Sequence, residues 1–473
     1  MKFPNSSDAA ALAAPFACAQ IIPFPAYVRG HPLRAGISRT AGLAILIVAA
    51  IFAAQVCAAD APLTLQEAQR RAIERSQQIP ALDATVAASR ERALAAGQLP
   101  DPVLTLAIDN LPINGPDEFS LTRDFMTMRR IGITQDFTRA EKRQLRARKF
   151  ASEGDKLLAE KTAALASIAR DTALAWLECY YAEAAAAVLA QQAEEAKLEV
   201  VASEGAYRAG RGSQADILAA HSSQVGLEIT ASEMGRRVRT ARINLARWIG
   251  EGADAPLSGK PAIESLHREG GALDSGILLH PEIRVLAREE DIVATDARIA
   301  AADQKTDWSL EVSYSQRGPD YSNMVSIGVS IPLQWDQKNR QNRELAARLA
   351  LVERAKAERE EALRAHIGEV RTLNAEWENG RERLARVERE MLPLARERTQ
   401  AALAAYQGGK ASLSEVLAAR RGEIDVRMQT VNLEAEIARL WAQLNFLFPP
   451  EGVGSTPPHA RSQAGANQIK EAR

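Results

Sequence analysis

The sequence predicts a mainly α-helical protein with a membrane β-barrel portion, built as a tandem repeat of long coiled-coil helices and β-hairpins. Two tracts rich in helix-forming residues, 138–205 and 337–404, are too long to fit inside one compact domain as single helices. Near each tract, the apolar period changes from about 3.5 residues to two, which is typical of strands. A further stretch, AYRAGRGSQADILAA at 206–220, has a near copy in AYQGGKASLSEVLAA at 405–419.

Composition excludes two function classes. The 473 residues carry a formal net charge of -1 with basic and acidic side chains interspersed, which leaves no electrostatic footprint for nucleic acid. The sequence also lacks a glycine-rich phosphate loop, clustered metal ligands, a nucleophile elbow and a plausible Ser, His and Asp grouping. We therefore expect no nucleic-acid partner, no cofactor and no catalytic residue.

The N-terminal region has the pattern of a secretory signal peptide. Arginines precede an apolar run at 41–56, and small residues follow it, whereas a transmembrane helix would need a longer run. Cleavage near Ala58 would remove a leader at 1–58. Cys57 invites a lipoprotein interpretation, but Val56 stands where lipid attachment needs a small residue, so we expect no lipidation. The residues ahead of the apolar run are unusual for a signal peptide, and a start codon placed too far upstream would explain them.

Both long tracts pack, by their pattern, as coiled coils. Beyond the leader no apolar run reaches the length of a membrane helix. Apolar residues instead recur at alternating threes and fours, which predicts a seam between helices. The seam residues are Leu158, Leu165, Ile168, Ala175, Cys179, Ala182, Ala186, Leu189, Ala193, Ala196 and Val200, continued by Ile217, Ala220, Gln224, Leu227, Ala231, Met234, Val238, Ala241, Leu245 and Trp248. On this seam, Cys179 is expected to be a buried, unreactive thiol.

Each of the two repeats, expected at 59–255 and 256–449, contains two segments of alternating polar and apolar residues. Strands of about ten residues with one apolar face suit a transmembrane barrel, because lipid tolerates no open sheet edge. Four strands are too few to close a barrel, so several protomers must contribute to one. The predicted strands are 103–110, 125–137, 308–316 and 324–333.

The duplicated stretch predicts the tip of a helical hairpin in each repeat, at about 206–216 and about 405–415. A glycine falls where one helix ends and allows a left-handed backbone, and a serine three residues later caps the next helix. An acidic residue follows three positions after the serine, and the pairing of Ser412 with Glu415 has the spacing of a capping box. The residues concerned are Gly210, Ser213 and Asp216, and Gly409, Ser412 and Glu415.

This order of helix, strand pair, long helix, tip and returning helix resembles the TolC-type outer-membrane efflux factors over about residues 64–449. The tip pattern of that family is met twice, by Tyr207, Gly210, Ser213, Asp216, Ile217 and Leu218, and by Tyr406, Gly409, Ser412, Glu415, Val416 and Leu417. The resemblance implies a trimer whose shared twelve-stranded β-barrel, with four strands per protomer, crosses the outer membrane of a Gram-negative bacterium. It also implies a periplasmic α-barrel tunnel, docked through its tips to a periplasmic adaptor (membrane fusion) protein and an inner-membrane RND-type pump, with no catalysis.

Two segments, at 99–112 and 119–137, resemble the outer-membrane subunits of heavy-metal-cation efflux systems, the branch serving copper, silver, cobalt, zinc or cadmium. Met126, Met128 and Met324 share the parity of the polar strand residues, which predicts that they face the lumen. Thioether sulfur suits Cu(I) or Ag(I), although methionine also fills gaps without any metal role and a bulge would reverse the parity. A multidrug or type I secretion channel is the alternative, and a soluble periplasmic coiled-coil adaptor is a more distant one.

The acids at the tips have two interpretations. Asp216 and Glu415 serve as capping residues, and three protomers would also gather them into a candidate entrance charge ring that favours cations. No other metal site is expected, because no two histidines have metal-ligand spacing in the sequence. The histidines beyond the leader are His221, His267, His280, His366 and His459.

Three further features concern the structure. The basic cluster KRQLRARK at 142–149 follows a strand, where it would meet lipid phosphates or form a solvated helix face. Pro393 is expected to kink the second long helix, whereas its near-symmetric partner in the first repeat is Glu194. The tail at 450–473 is rich in Pro, Gly, Ser and Ala, which predicts disorder.

Overall fold

The structure, a computed structural model, describes residues 62–266, 276–277 and 279–449. The predicted signal peptide, its cleavage site and Cys57 lie outside these residues, as does the tail at 450–473.

The described residues form two successive sets of helices and strands, and the predicted fold class is confirmed. The first set is α1 (Leu65–Arg75), α2 (Gln78–Ala96), β1 (Val103–Asp109), β2 (Met128–Phe137), α3 (Ala140–Arg208) and α4 (Gln214–Ile249). The second set is α5 (Pro281–Ala302), β3 (Trp308–Gln316), β4 (Met324–Ser330), α6 (Gln341–Arg386), a π-helical turn (Val387–Met391), α7 (Leu392–Gln407) and α8 (Leu413–Asn445). The exact boundary between the two repeats stays a prediction.

The strands form one antiparallel sheet in the order β1-β2-β3-β4, so the two repeats join through β2 and β3. Three strands are shorter than predicted, β1 by one residue and β2 and β4 by three residues each. β2 begins at Met128 because the Asp124 carboxylate accepts hydrogen bonds from the amides of Met126 and Thr127, at 2.7 and 3.1 Å, and folds that stretch into a turn. β4 ends at Ser330, two residues before Pro332, which has no amide hydrogen to pair.

The longest helix, α3, is the centre of the packing. Its seam is largely buried as predicted, although Leu158 is an exception at 40% exposure. Cys179 is fully buried, and this burial, followed by the neighbouring Glu183 carboxylate, raises the pKa of the thiol to about 12. The thiol is therefore protonated and unreactive at neutral pH.

By length and composition, α3 passes as a membrane-crossing helix, which the sequence pattern did not lead us to expect. Within the described residues it alone passes this test, with 44% of the most apolar window buried. A core helix of a soluble domain passes as well, and α3 packs against α2, α4, α5 and α8. Those neighbours cover part of its apolar surface.

Each repeat contains a tryptophan anchored to the segment that precedes the first helix of that repeat. The indole nitrogen of Trp176 in α3 donates to the carbonyl of Leu63 at 3.1 Å, and that of Trp377 in α6 donates to the carbonyl of Ile263 at 3.1 Å. Leu63 in turn pairs with Leu257 in a parallel bridge. These contacts place both lead-in segments against the helical core.

The second long helix is interrupted next to Pro393, where the sequence predicts a kink. The π-helical turn lies just before it, and the amide of Leu392 donates to the carbonyl of Val387, five residues back. Proline lacks an amide hydrogen and its ring crowds the carbonyl four residues earlier, so the wider turn accommodates it. In the first repeat, Glu194 lies inside the unbroken helix α3.

Two lysines of the basic cluster at 142–149 lie neither at a lipid surface nor on a solvated helix face, the two environments expected for the cluster. Lys142 is buried and its ammonium group lies 2.9 Å from Asp307 and 3.4 Å from Asp303. Lys149 lies 2.9 Å from Asp296. These lysines join α3 to the helix and loop that lead into β3, because each basic side chain points towards acids of the other repeat.

Candidate functional site

The sheet has one apolar face that is exposed to the surroundings of the chain. Its register places the apolar residues of all four strands side by side on this face. The exposed members are Leu104, Leu106, Ile108, Ile131, Ile133, Trp308, Val312, Tyr314, Val325, Ile327 and Val329. So large a contiguous apolar patch is typical of a surface that contacts a partner or a membrane.

The ends of this face are different from its middle. At one end Phe137 stacks on Trp308, with ring centroids 4.3 Å apart. At the other end Arg129 lies opposite Gln316 and donates to the carbonyl of Arg317 at 3.3 Å. An apolar band with an aromatic pair at one end is typical of strands that cross a lipid layer.

The opposite face of the sheet is polar. It contains Thr105 and Asp109 of β1, Arg130, Thr134 and Asp136 of β2, Ser309, Glu311, Ser313 and Ser315 of β3, and Ser326 and Ser330 of β4. The Arg130 guanidinium lies 2.9 Å from Asp109 and 3.2 Å from Glu311, so its charge is balanced within the face.

Two of the three predicted methionines share this polar face. Met128 pairs with Asp109, and Met324 pairs with Ser315, which places both on the polar side of the sheet. Met126 lies in the turn before β2, so the parity argument does not apply to it. The structure therefore groups Met128 and Met324 by face but leaves Met126 outside the strand.

The two helical tips have the same backbone design. In the first tip, Gly210 has φ +70° and its amide donates to Tyr207 at 2.9 Å, while the next amide, of Arg211, donates to Ala206 at 2.9 Å. The second tip repeats this pattern at Gly409, with φ +69°. These paired bonds form a Schellman motif, and its left-handed position explains the glycine in each copy.

A capping box begins the returning helix at both tips. Ser213 accepts from the amide of Asp216 at 3.2 Å, and the Asp216 carboxylate accepts from the amide of Ser213 at 2.9 Å. Ser412 and Glu415 make the same exchange at 3.4 and 3.5 Å. The sequence singled out the second pair by its glutamate, but the structure forms the box at both tips and with shorter bonds at Asp216.

The tips differ in what their side chains contact. In the second tip Leu413, Val416 and Leu417 form a small buried cluster against Tyr406. In the first tip Leu218, at the position equivalent to Leu417, is 63% exposed, and Tyr207 is exposed as well. The first tip therefore presents the larger apolar surface.

Ion pairs that the sequence pattern did not reveal hold the two repeats together. Glu178 of α3 lies 2.9 Å from Arg237 of α4 and also pairs with Arg439 of α8. Burial raises the pKa of the Glu178 carboxyl, but hydrogen bonds from Arg439 and Arg237 outweigh it and hold the pKa below its usual range. Nearer the tips, Arg420 of α8 pairs with Glu195 of α3. These contacts join residues that are far apart in sequence, so no local spacing signals them.

The fold also forms a histidine pair that the sequence pattern did not indicate. His280 and His366 are far apart in sequence but their ring centroids lie 4.0 Å apart. Burial, the His366 ring and the Arg170 charge lower the pKa of His280 to about 4, so its imidazole is neutral at neutral pH. The tertiary fold thus brings together two metal-binding side chains that the sequence left scattered.

A model of the family described as "Outer membrane efflux protein" matches residues 278–448. The second part of this chain is therefore similar to members of that family. That match spans α5 to α8 and contains the second strand pair and the second tip. No curated protein matches the chain.

Solved structures extend this result to most of the chain as a likeness of fold. VceC, an outer membrane protein of Vibrio cholerae, is 20% identical with a TM-score of 0.66, over 81% of this chain and 95% of that one. CusC, described by its transmembrane channel formation, is 14% identical with a TM-score of 0.70, over 82% and 92%. The open state of the outer membrane channel MtrE of Neisseria gonorrhoeae is 15% identical with a TM-score of 0.64, over 81% and 88%.

The described part of the chain thus has the fold of TolC-like outer-membrane channels. In this setting the exposed apolar face of the sheet is the surface suited to lipid, and the capped tips lie at the far ends of the long helices.

Proposed function

We propose that this chain is one protomer of a homotrimeric exit duct in a tripartite efflux system, which passively conducts substrates from a periplasmic adaptor and an RND-type pump to the outside. The sheet carries this proposal. Its outer strands β1 and β4 each pair with a single neighbour, and its exposed face is apolar. Free strand edges are costly in lipid, and three copies would remove them by closing one twelve-stranded barrel.

Membrane extraction tests this architecture. The full chain, expressed in a Gram-negative host, should enter the outer-membrane fraction and migrate after detergent extraction as a heat-modifiable oligomer of three protomers. The same extraction on a periplasmic marker protein of the host is the control. A monomer released from membranes by salt alone would overturn the proposal in favour of a soluble adaptor.

Heavy-metal cations are the proposed substrate class, supported by the resemblance of the β1 and β2 region and by Met128 and Met324 on the polar face. A host that lacks its own metal exit duct should regain resistance to copper, silver, cobalt, zinc or cadmium when this channel and its cognate pump are supplied. Resistance to drugs or peptide secretion without metal resistance would replace the substrate class and leave the duct intact.

Replacing the methionines tests whether their thioethers contact the exported ion in the lumen or only fill space in the packing. Met128→Leu with Met324→Leu keeps the volume and removes the thioether, so copper or silver export should fall while cobalt export stays unchanged. Met391→Leu, on the exposed π-helical turn, is the matched control. Equal export by both variants would assign these methionines to packing.

The tips are the proposed docking surface for the adaptor, with Tyr207, Gly210, Ser213 and Asp216 in one and Tyr406, Gly409, Ser412 and Glu415 in the other. Exposed apolar side chains at the first tip, Tyr207 and Leu218, favour it as the stronger contact. Aromatic anchors dominate the energy of protein interfaces, so Tyr207→Ala should weaken adaptor cross-linking more than Tyr406→Ala.

A further inference from the structure

Three side chains of types that can bind metals lie together where α5 begins. His280 immediately precedes α5, Glu282 lies in its first turn, and His366 comes from α6. Each offers one ligand atom, and the three atoms lie within 4.8 Å of one another. A search of the described residues for three or more His, Cys, Asp or Glu side chains in this geometry gives this one group.

Each imidazole has one nitrogen supported by a neighbour and the other without a partner. The Nδ1 atom of His366 lies 3.5 Å from the Glu369 carboxylate, while its Nε2 atom is buried and makes no hydrogen bond. The His280 ring forms a hydrogen bond with the backbone of Leu447, while its Nδ1 atom is buried and makes none. His280 itself is only 6% exposed. Native proteins rarely leave such atoms unpaired, so both point to a missing ligand.

We propose that His280, Glu282 and His366 bind a divalent transition-metal ion, with Zn²⁺ as the best fit. Two imidazole nitrogens and one carboxylate oxygen are a ligand set that zinc takes in sites that keep a fourth position for water. Mg²⁺ and Ca²⁺ prefer oxygen ligands alone, and Cu(I) prefers sulfur. This proposal departs from the expectation that the chain has no metal site.

The surroundings of the site agree with this assignment. Histidine ligands usually direct their second nitrogen at a carboxylate or a backbone carbonyl, which are the roles that Glu369 and Leu447 would have. The positive Arg170 is a neighbour of His280, but its guanidinium lies 3.0 Å from Asp171, which offsets its charge. Glu282 is exposed, so it provides a path for the ion from solvent.

Binding would draw the ligand atoms to about 2.0–2.2 Å from the ion. The ion would then link the start of α5 to the middle of α6, and through the His280 contact with Leu447 to the segment after α8. The site exists only in the folded state, so a bound metal ion should stabilise the chain against unfolding. The inference is independent of the exported substrate, because it concerns a site inside the helical portion.

Metal titration of the purified chain tests the site. Mature protein without a polyhistidine tag, in detergent and stripped with a chelator, is titrated with ZnCl₂ by calorimetry and with CoCl₂ by absorption spectroscopy. We expect one Zn²⁺ per protomer, a raised melting temperature, and the visible bands of low-coordinate Co²⁺. MgCl₂ should have no effect. Absence of a saturable Zn²⁺ site in the wild-type chain would overturn the proposal.

Variants assign the ligands. His366→Gln should lower Zn²⁺ affinity at least a hundred-fold and abolish the Co²⁺ bands, while Glu369→Gln should lower affinity ten- to a hundred-fold and keep them. His221→Gln, an exposed histidine near the first tip, should bind as the wild type does. The melting temperature of each metal-free variant shows whether it folds. If His366→Gln does not fold, Glu282→Gln provides a second change of a ligand. Equal affinities for the ligand variants and His221→Gln would refute the site.

Discussion

The two repeats have the same order of elements but differ in which long helix is buried. The buried one is the leading helix in the first repeat and the returning helix in the second. In the first repeat the helix that leads to the tip, α3, is the buried one, and the returning helix α4 buries few residues. In the second repeat the leading helix α6 is mostly exposed, and the returning helix α8 is buried. α3 and α8 pack against each other, which leaves α4 and α6 on the outside.

This exchange shows that a duplicated sequence need not give duplicated packing. Each repeat supplies one of its two long helices to the shared, buried centre. The leading helix is accordingly continuous where it is buried, in α3, and broken by a π-helical turn where it is exposed, before Pro393. A break costs less on the exposed helix, because fewer buried contacts must adapt to it.

Moving the proline to the first repeat should produce the largest effect. Glu194→Pro places a proline inside α3, where it removes a helical hydrogen bond and should cost about 3 kcal/mol or more. Pro393→Ala should be nearly neutral or stabilising. Thermal unfolding of the purified oligomer measures both, with Glu194→Ala as control. If Glu194→Pro unfolds at the wild-type temperature, α3 is not the continuous core helix that the comparison requires.

Charges on the sheet should affect both repeats alike. Arg at Ile131 or at Ile327 would enter the apolar face and should cost about 2–4 kcal/mol near the middle of the membrane. Ser326→Arg, on the exposed polar face of β4, should cost little. Ser313 is an unsuitable control because it is buried beside Gly132. Unfolding in detergent–lipid mixtures compares the variants, and equal tolerance on both faces would contradict the assignment of the lipid side.

The two anchoring tryptophans should be equivalent despite the exchanged packing. Trp176→Phe and Trp377→Phe each leave a backbone carbonyl without its indole donor, which should cost about 1–3 kcal/mol. Trp248→Phe is a suitable control because its ring is only partly buried. A much smaller loss of stability for Trp377→Phe would contradict the equivalence of the two anchors. It would mean that the strength of the second anchor is set by the exposure of α6.

Valine at the tip glycines should have a smaller, local effect. Gly210→Val and Gly409→Val each force a branched side chain into a left-handed backbone, at about 1–2 kcal/mol, although no atom would meet the added Cβ within 4 Å. Adaptor cross-linking and export should fall while the oligomer survives. Gly205→Val, in the helix before the first tip, is the control. Unchanged cross-linking in the double variant would exclude the tips as the docking surface.

The smallest effect is expected from neutralising the tip acids. Asp216→Gln with Glu415→Gln keeps a side chain that supports the capping box but removes the charge. Single-channel recordings should show reduced cation selectivity without loss of trimer stability if the acids form an entrance ring. Selectivity equal to that of the wild type would confine both residues to capping.

Patterns of local origin predicted much of this molecule. The alternation of the strands, the glycine and serine of each tip, and the break at Pro393 all depend on neighbours a few residues away, so sequence spacing was sufficient. The strand ends were less accurate, because the turn made by Asp124 depends on side-chain hydrogen bonds that periodicity does not encode. The same limit applies to Met126, which left the predicted face with that turn.

The sequence by itself determined the tandem plan, the two faces of the sheet and the chemistry of the tips, because backbone propensity and side-chain period act over one or two turns. Only the tertiary structure decided which helices are buried, how Glu178 joins α3 to α4 and α8, and that His280 meets His366. Those contacts depend on how the long helices are placed against one another, and small differences in register along them bring different distant residues together.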